Sequence, residues 1–433
     1  MKHTMKQTIL ILLAFFCITG ALFASETIRS DGSPLIGLEE LVSRVLKDDA
    51  SVREAYARYE KERSRLGARE ADFLPLFKTE LYEAASTGER TFLTYFDTSV
   101  EEPLFEGGKR IALKNEAEVR VQKEHLKLTE AKRDLEIFVR STYTEALCEE
   151  ALTKIAQEKV KTLSALHKRE RRIYKKGLMT KEELLKSETK GLDAKQSLVK
   201  HKEMLDYHLS ILQELSGIPE KMSIGLEQSE RLPEMVHSFD AYKAQWETKN
   251  PAYLMGHLEV KEKEFDLRAL QAERYPKLSL AARWNVNRDV FVDTNRGMIG
   301  ITGKWNIWDF GRLSHEIEAK QHELEEIRAQ AEVEMRKRER EFRMIYHQTR
   351  AAFEKVRMEK SFAREREEAF KNAKVKQITR DGSMKEAEDA FLLLADAKER
   401  TTEAVTDYRL LLIRLETRAR ETSSDAHSLE GVS

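Results

Sequence analysis

Between Gly108 and Gly177 the chain carries neither proline nor glycine. That is roughly 70 helix-compatible residues, or about 100 Å of α-helix at 1.5 Å per residue. Ordinary globular helices are far shorter, so the run points to a coiled coil or another extended helical assembly. Apolar residues recur at three-four spacing in Leu128, Ala131, Leu135 and Phe138. Val121, Leu128 and Leu135 repeat every seven, as a coiled-coil seam does. The rest of the surface is charged, as at Glu116, Lys123, Glu124, Lys132 and Arg133. A long, charged, narrow-seamed helix has to pair with others to bury anything.

The 433 residues suffice for several ordinary domains or one large elongated one. Charged residues make up 35% at a net charge of -1, with both signs interspersed. That suits solvated helical faces and argues against a nucleic-acid partner, which calls for a basic stripe. Residues 1–25 read as a signal peptide: Lys2 and Lys6, an apolar core from Ile9 to Ile18, then small residues at Ala21, Ala24 and Ser25. An uncleaved anchor is the competing reading, but the core is short for a bilayer. Cys17 follows Phe15-Phe16, whereas a lipoprotein cysteine follows small residues. Cys148 is then the lone mature cysteine, and packing is its expected role. No later apolar run reaches the length of a transmembrane helix.

A first helix is expected from Leu38 to about Glu70, with Leu41, Val45, Val52, Ala55 and Tyr59 on its apolar face. Pro75 ends it, because the residue before a proline disfavours helix. Two extended stretches follow, about 76–85 and 91–101, around a turn at Ser86-Thr87-Gly88-Glu89. In the second, Phe92, Thr94, Phe96, Thr98 and Val100 share one side; the first alternates poorly. The long helix then ends near Gly177, and another runs from Lys181 to Leu215 before Ser216-Gly217-Ile218-Pro219.

After a linker at 218–237 the order returns. Asn250-Pro251 echoes Asp49-Ala50, and Tyr275-Pro276 echoes Leu74-Pro75. Trp308-Asp309-Phe310-Gly311-Arg312 echoes Phe105-Glu106-Gly107-Gly108-Lys109, and Asp381-Gly382 echoes Lys176-Gly177. The offset creeps only from 201 (Pro75 to Pro276) to 205 (Gly177 to Gly382). The chain therefore holds two copies of a helix–two strands–long helix–helix unit, 26–217 and 238–420, with a short polar tail at 421–433.

Strands at 278–287 and 298–307 alternate more cleanly: Leu278, Leu280, Ala282, Trp284 and Val286 on one side of the first, Ile299, Ile301, Trp305 and Ile307 on one side of the second. About ten residues with one apolar and one polar face is what a membrane barrel requires. A soluble sheet on a core has the same pattern; the secretion signal and the lack of another core favour the membrane. Trp284, Trp305 and Trp308 are candidates for an interfacial aromatic girdle. Four strands cannot close a barrel, and lipid does not tolerate an open edge. Two chains make eight strands, whose interior fills with side chains; three make twelve, wide enough for a passage.

These residues resemble the outer-membrane factor family typified by TolC, over roughly residues 38 to 417. The resemblance rests on the duplicated unit, on the proline after the first helix of each repeat, and on three local stretches. These are Pro103-Leu104-Phe105-Glu106-Gly107-Gly108-Lys109-Arg110 with its counterpart Ile307–Arg312, the tip Arg172–Thr180, and Leu215-Ser216-Gly217. It implies a mainly α fold: a homotrimer with a 12-strand membrane β-barrel and an α-helical periplasmic tunnel. It implies passive export across the outer membrane in a tripartite efflux pump or type I secretion system, with outer-membrane lipid, a periplasmic adaptor and an inner-membrane transporter as partners. The docking tips it implies are Arg172, Gly177, Leu178 and Thr180, then Arg380, Gly382 and Ser383 within a second tip at about 380–385. The second tip departs from the family pattern, lacking the usual hydroxyl three residues after its glycine. The resemblance also places acidic side chains at a periplasmic constriction, here Glu388 and Asp389; a ring of Glu388 would favour cations. A solvated helix carboxylate is the plain reading of the same residue.

No phosphate-binding glycine loop and no nucleophile elbow is present, so no enzyme, cofactor or metal site is expected. His201 and His208 are seven apart, as are His315 and His322; two helical turns is roughly 10 Å, too far for one metal. The different-class alternative is a secreted periplasmic coiled-coil scaffold without a pore.

Overall fold

The computed structural model describes residues 35–85, 92–217, 223–226, 232–233, 235, 238–288, 293–379 and 384–419. The expected signal peptide, the hairpin turn at 86–89, most of the linker, residues 380–383 of the second tip and the polar tail lie outside them. The elements in chain order are β1 (Leu35–Ile36), α1 (Leu38–Asp48), α2 (Ala50–Ala71), β2 (Leu76–Ala85), β3 (Phe92–Phe105), α3 (Lys109–Lys175) and α4 (Lys181–Ser216). Then come β4 (Ser223–Ile224), α5 (Phe239–Lys249), α6 (Pro251–Gln271), a 3₁₀ turn at Ala272–Arg274, β5 (Lys277–Arg288), β6 (Asp293–Lys304), α7 (Arg312–Thr379) and α8 (Met384–Ala419). Two helices, two strands, a long helix and a shorter one thus occur twice in the same order. No described helix is long and apolar enough to cross a membrane.

The single first helix expected from Leu38 is two helices. Asp49 leaves the helical region (φ -65°, ψ 141°), and its carboxylate accepts from Ser51 N at 2.7 Å, capping α2. Asn250 breaks the second copy likewise, held extended (ψ 118°) because Pro251 follows it. The Asp49/Asn250 echo was visible in the sequence; its meaning as a paired helix break was not.

The chain forms two compact units. The first comprises Met1–Lys47, Val139–Leu232 and Glu359–Thr406. Here Leu163 and Leu166 of α3 pack on Ala194 of α4, with Val160 and Leu392 at the margin. The face α4 turns to α3 repeats every seven residues: Ser187 and Ala194 are buried, and His167 Nδ1 lies 3.4 Å from Ser187 Oγ. His201 Nδ1 lies 2.8 Å from Glu149, and His208 Nδ1 3.6 Å from Glu145. β1 and β4 form a two-residue parallel pair that the sequence pattern does not announce. Tyr143 fixes it by donating to Gly225 O at 2.8 Å.

The second unit comprises Asp48–Phe138, Pro233–Met358 and Asp407–Ser433. Its core joins Tyr242 and Trp246 of α5 to Phe342 and Ile345 of α7 and Leu415 and Ala419 of α8. Trp246 stacks on Phe342 with ring centroids 5.4 Å apart. Burying such side chains contributes about 1.5–3 kcal/mol each. Two sequence expectations for α3 fail here. Leu128 is buried, but Phe138 is 48% exposed and Val139 is buried in its place. At about 100° per residue, Val139 lies only about 20° around the helix from Leu128, whereas Phe138 lies about 80° away. Nor are all its charges solvated, since Glu116 and Arg133 are buried. Burial pushes the Glu116 carboxyl above its usual range, with Arg120 opposing.

Ion pairs stitch the helices of this unit together. Glu262 on α6 accepts from Lys123 at 2.8 Å and Arg120 at 2.9 Å. Glu323 of α7 accepts from Lys263 of α6 and Lys320 of α7 at 2.5 and 2.9 Å. Those hydrogen bonds hold the Glu323 carboxyl at about 2, against an ordinary 4.5. A depressed carboxylate stabilises the fold above its unfolded value and loses that contribution as pH falls toward its folded one. Glu323→Gln should therefore lower stability at neutral pH and flatten its decline between about pH 4.5 and 2. Unfolding measured across that window checks it; an unchanged acid limb would refute the assignment.

Candidate functional site

The four long strands form one antiparallel sheet in the order β2-β3-β5-β6. Among the described residues β2 and β6 each have one partner, so both edges are open. The register pairs Leu81 with Phe96, Phe96 with Val286, Ala282 with Ile299 and Leu280 with Ile301. Because strand side chains alternate, these residues share one face. They are exposed although apolar: Phe77 70%, Leu81 69%, Ile299 77%, Ile301 70%. The other face is polar, with Asp97 Oδ2 3.4 Å from Arg283 Nε and Ser279 donating to Glu101 at 2.8 Å.

β3 runs on to Phe105, past the expected 101, and takes Pro103 into the strand at a register shift between Pro103 and Phe105. A bulge is where a strand tolerates a residue without an N–H. β6 ends at Lys304, short of the expected 307. Trp305 and Trp308 therefore lie beyond it, and Trp305 Nε1 donates to Arg274 O at 3.1 Å. Trp284 sits level with Gly297, eight residues along β6 from Trp305 or about 26 Å. The three tryptophans thus occupy two levels rather than one girdle. Leu280, Ala282, Ile299 and Ile301 lie between those levels. On strands tilted by about 35–45° the separation is about 18–21 Å of height, a little under the roughly 25 Å apolar band of a membrane barrel.

In the first unit, α3 ends in a left-handed turn. Gly177 takes φ 72°, its N–H bonds Tyr174 O at 2.8 Å, and Leu178 N bonds Ile173 O at 3.3 Å. Thr180 caps α4 through a reciprocal box: its hydroxyl accepts from Glu183 N at 3.2 Å, and Glu183 accepts from Thr180 N at 3.0 Å. Those bonds hold the Glu183 carboxyl below its usual range. Gly177 and Thr180 thus shape the tip, while Arg172 and Leu178 are exposed on it, Leu178 at 76%. Thr180→Ala should cost about 1 kcal/mol and speed amide exchange over 173–186; unchanged exchange would refute the cap. Arg380, Gly382 and Ser383 lie outside the described residues.

No family model matches the sequence, and no curated protein matches it. Solved structures do. A membrane protein from Pseudomonas aeruginosa aligns with a TM-score of 0.77 at 15% identity, covering 93% of each chain. The CmeC outer membrane channel of Campylobacter jejuni gives 0.75 at 13%, covering 91% of this chain and 89% of that one. The MtrE outer membrane channel of Neisseria gonorrhoeae, in its open state, gives 0.74 at 14% and 88% of each. The chain has the TolC-like fold.

Two ties in the first unit of this TolC-like chain escaped the sequence reading. Lys159 of α3 reaches Asp396 and Glu399 of α8, each at 2.8 Å. Lys190 of α4 donates to Glu388 of α8 at 3.1 Å. The partners are 237 and 198 residues apart, and nothing in a string of mixed charge marks them. Glu388, the expected constriction residue, is thus 10% exposed and neutralised by Lys190, whereas its neighbour Asp389 is exposed. On α7, His315 and His322 face outward, 83% and 71% exposed, and each lies near a glutamate three residues on. Among the described residues no three metal-binding side chains gather.

Proposed function

We propose that this chain is a passive outer-membrane exit duct. The observation that carries the reading is the exposed apolar band on one face of a four-stranded sheet with two open edges. Such a face is unfavourable in water, and such edges are unfavourable in lipid, until neighbouring copies pair them. Pairing β2 of one copy with β6 of the next closes a barrel head to tail. Three copies give twelve strands, enough for a passage. The polar face, with Asp97, Glu101 and Arg283, lines it.

The homotrimer sits in the outer membrane with its charged helices in the periplasm. It uses no cofactor and makes no covalent chemistry. Export is driven by an inner-membrane transporter joined through a periplasmic adaptor at the tips, Arg172, Gly177, Leu178 and Thr180 with Arg380, Gly382 and Ser383. Glu388 and Asp389 form the acidic constriction. Because Lys190 neutralises Glu388, Asp389 carries the larger share of its field.

Planar-bilayer recording of the mature protein tests this. Discrete cation-favouring channels are expected, with Asp389→Asn lowering cation preference more than Glu388→Gln. Channels indifferent to both substitutions discard the constriction and keep the duct. A verified folded oligomer that inserts in no bilayer, and leaves membranes in carbonate without detergent, sinks the duct and leaves a coiled-coil scaffold.

A further inference from the structure

The first unit contains a groove that neither the barrel nor the caps explain. It lies among α3, α7 and α8 and has a volume of about 850 Å³. Along α3 it runs from Glu158 to Arg172, or about 21 Å. Its floor is apolar: Ala165 and Leu166 of α3, Phe370 of α7, and Ala387 and Phe391 of α8. Phe370 and Phe391 meet with ring centroids 5.7 Å apart. Its rim is basic, from Lys161, Arg169, Arg172 and Lys374. None of these four has an ion-pair partner among the described residues. Of the two acids beside them, Glu388 is already held by Lys190, which leaves Glu158 alone at the far end.

The two kinds of side chain are also ordered. On α3 the apolar pair Ala165 and Leu166 precedes Arg169 and Arg172; on α7 Phe370 precedes Lys374. Both helices run toward their C-termini in that direction, at Lys175 and Thr379. The helix dipole accounts for cations near those ends, but not for an aromatic floor directly before them. Lys161 lies at the other end, beside Glu158, so the uncompensated cluster is Arg169, Arg172 and Lys374. An apolar trough of ligand-sized volume that opens onto such a cluster complements one chemistry, an apolar body with a single anionic head. We propose that this groove binds a small amphiphilic anion of the fatty-acid type. The head lies at Arg169, Arg172 and Lys374, and the chain lies over Leu166, Phe370 and Phe391. The inference does not depend on the duct reading, because binding is measured without conductance.

The test is photo-labelling of the mature protein with a diazirine analogue of decanoate, followed by peptide mapping. Labels are expected within 158–172, 370–377 and 387–391. Decanoate should compete them away, whereas decanol and decyltrimethylammonium, equal in chain but not in charge, should not. Arg169→Gln/Arg172→Gln should raise the competing concentration by about tenfold or more with secondary structure and oligomer unchanged. Because that variant changes exposed side chains only, Phe391→Asn supplies a second one, aimed at the floor, and should also weaken labelling. Competition that ignores headgroup charge, labels confined to the sheet, or indifference to both variants would each overturn the proposal. So would a groove left unlabelled in the isolated protein and shielded only by an added acidic polypeptide.

Discussion

Gly107→Ala should destabilise the second unit by about 3 kcal/mol, whereas Gly108→Ala and Gly311→Ala should each cost about 1–2 kcal/mol. All three glycines have positive φ: 63° at Gly107 and 87° at both others. An L side chain is strained there at any of them. Only at Gly107 is the space also taken. A methyl group would lie 2.7 Å from Ala272 O and within 2.9 Å of Tyr275. The nearest of those atoms is backbone, in the 3₁₀ turn before β5, and cannot swing away as a flexible side chain would. At Gly108 nothing lies within 4 Å, and at Gly311 only the His315 ring approaches, at 3.9 Å. Urea unfolding of the three variants separates strain from overlap; equal losses would show that Ala272 yields.

The second copy makes the same point with a different residue. The position equivalent to Gly107 is Phe310, which takes φ 57° and is 90% exposed. The side chain points into open space there, so the turn accommodates a large residue at the cost of strain. Phe310→Gly should accordingly add stability, by about 1 kcal/mol. The paired motif was legible in the sequence, but not that one glycine answers to a close approach and its counterpart to nothing.

What could be read from the sequence was whatever repeats locally. Alternation in 278–287, proline at 75 and 276 and the glycine at 177 each follow from short-range sterics, and each marks an element boundary or face seen in the structure. β2 alternates poorly, yet Phe77 and Leu81 still fall on the apolar face. What escaped was whatever depends on distant partners. Val139 rather than Phe138 faces the packed helices, which the three-four spacing alone does not decide. The β1–β4 pair is two residues long, too short for a periodic signal. Glu388 is recognisable as an acid near a tip, but its neutralisation needs Lys190, 198 residues earlier.

Lys159 is the other position where a large effect is expected, and it too depends on distant partners. Its side chain is 14% exposed and holds two carboxylates of α8, Asp396 (48% exposed) and Glu399 (23%). Burial alone would depress the Lys159 ammonium, but the hydrogen bonds to Asp396 and Glu399 outweigh it and leave the group above its ordinary value. A raised lysine contributes fully below its unfolded value of 10.5 and loses that contribution only as pH rises through the folded one. Lys159→Met should therefore cost about 2 kcal/mol across the neutral range, and the deficit should shrink only above about pH 10.5. The figure stays below that of a fully buried pair because Asp396 is half solvated. The loss is less that of an attraction than of the charge that offsets two carboxylates three residues apart on one helix face. Lys159→Met/Asp396→Asn/Glu399→Gln should thus recover most of the stability, a non-additivity that unfolding measurements read directly. In the proposed duct, the same single variant frees α8 from α3 and should raise the open probability, while the triple variant remains open because no tie is restored. A single variant as stable as the parent would show that the two carboxylates find other partners and that Lys159 holds nothing.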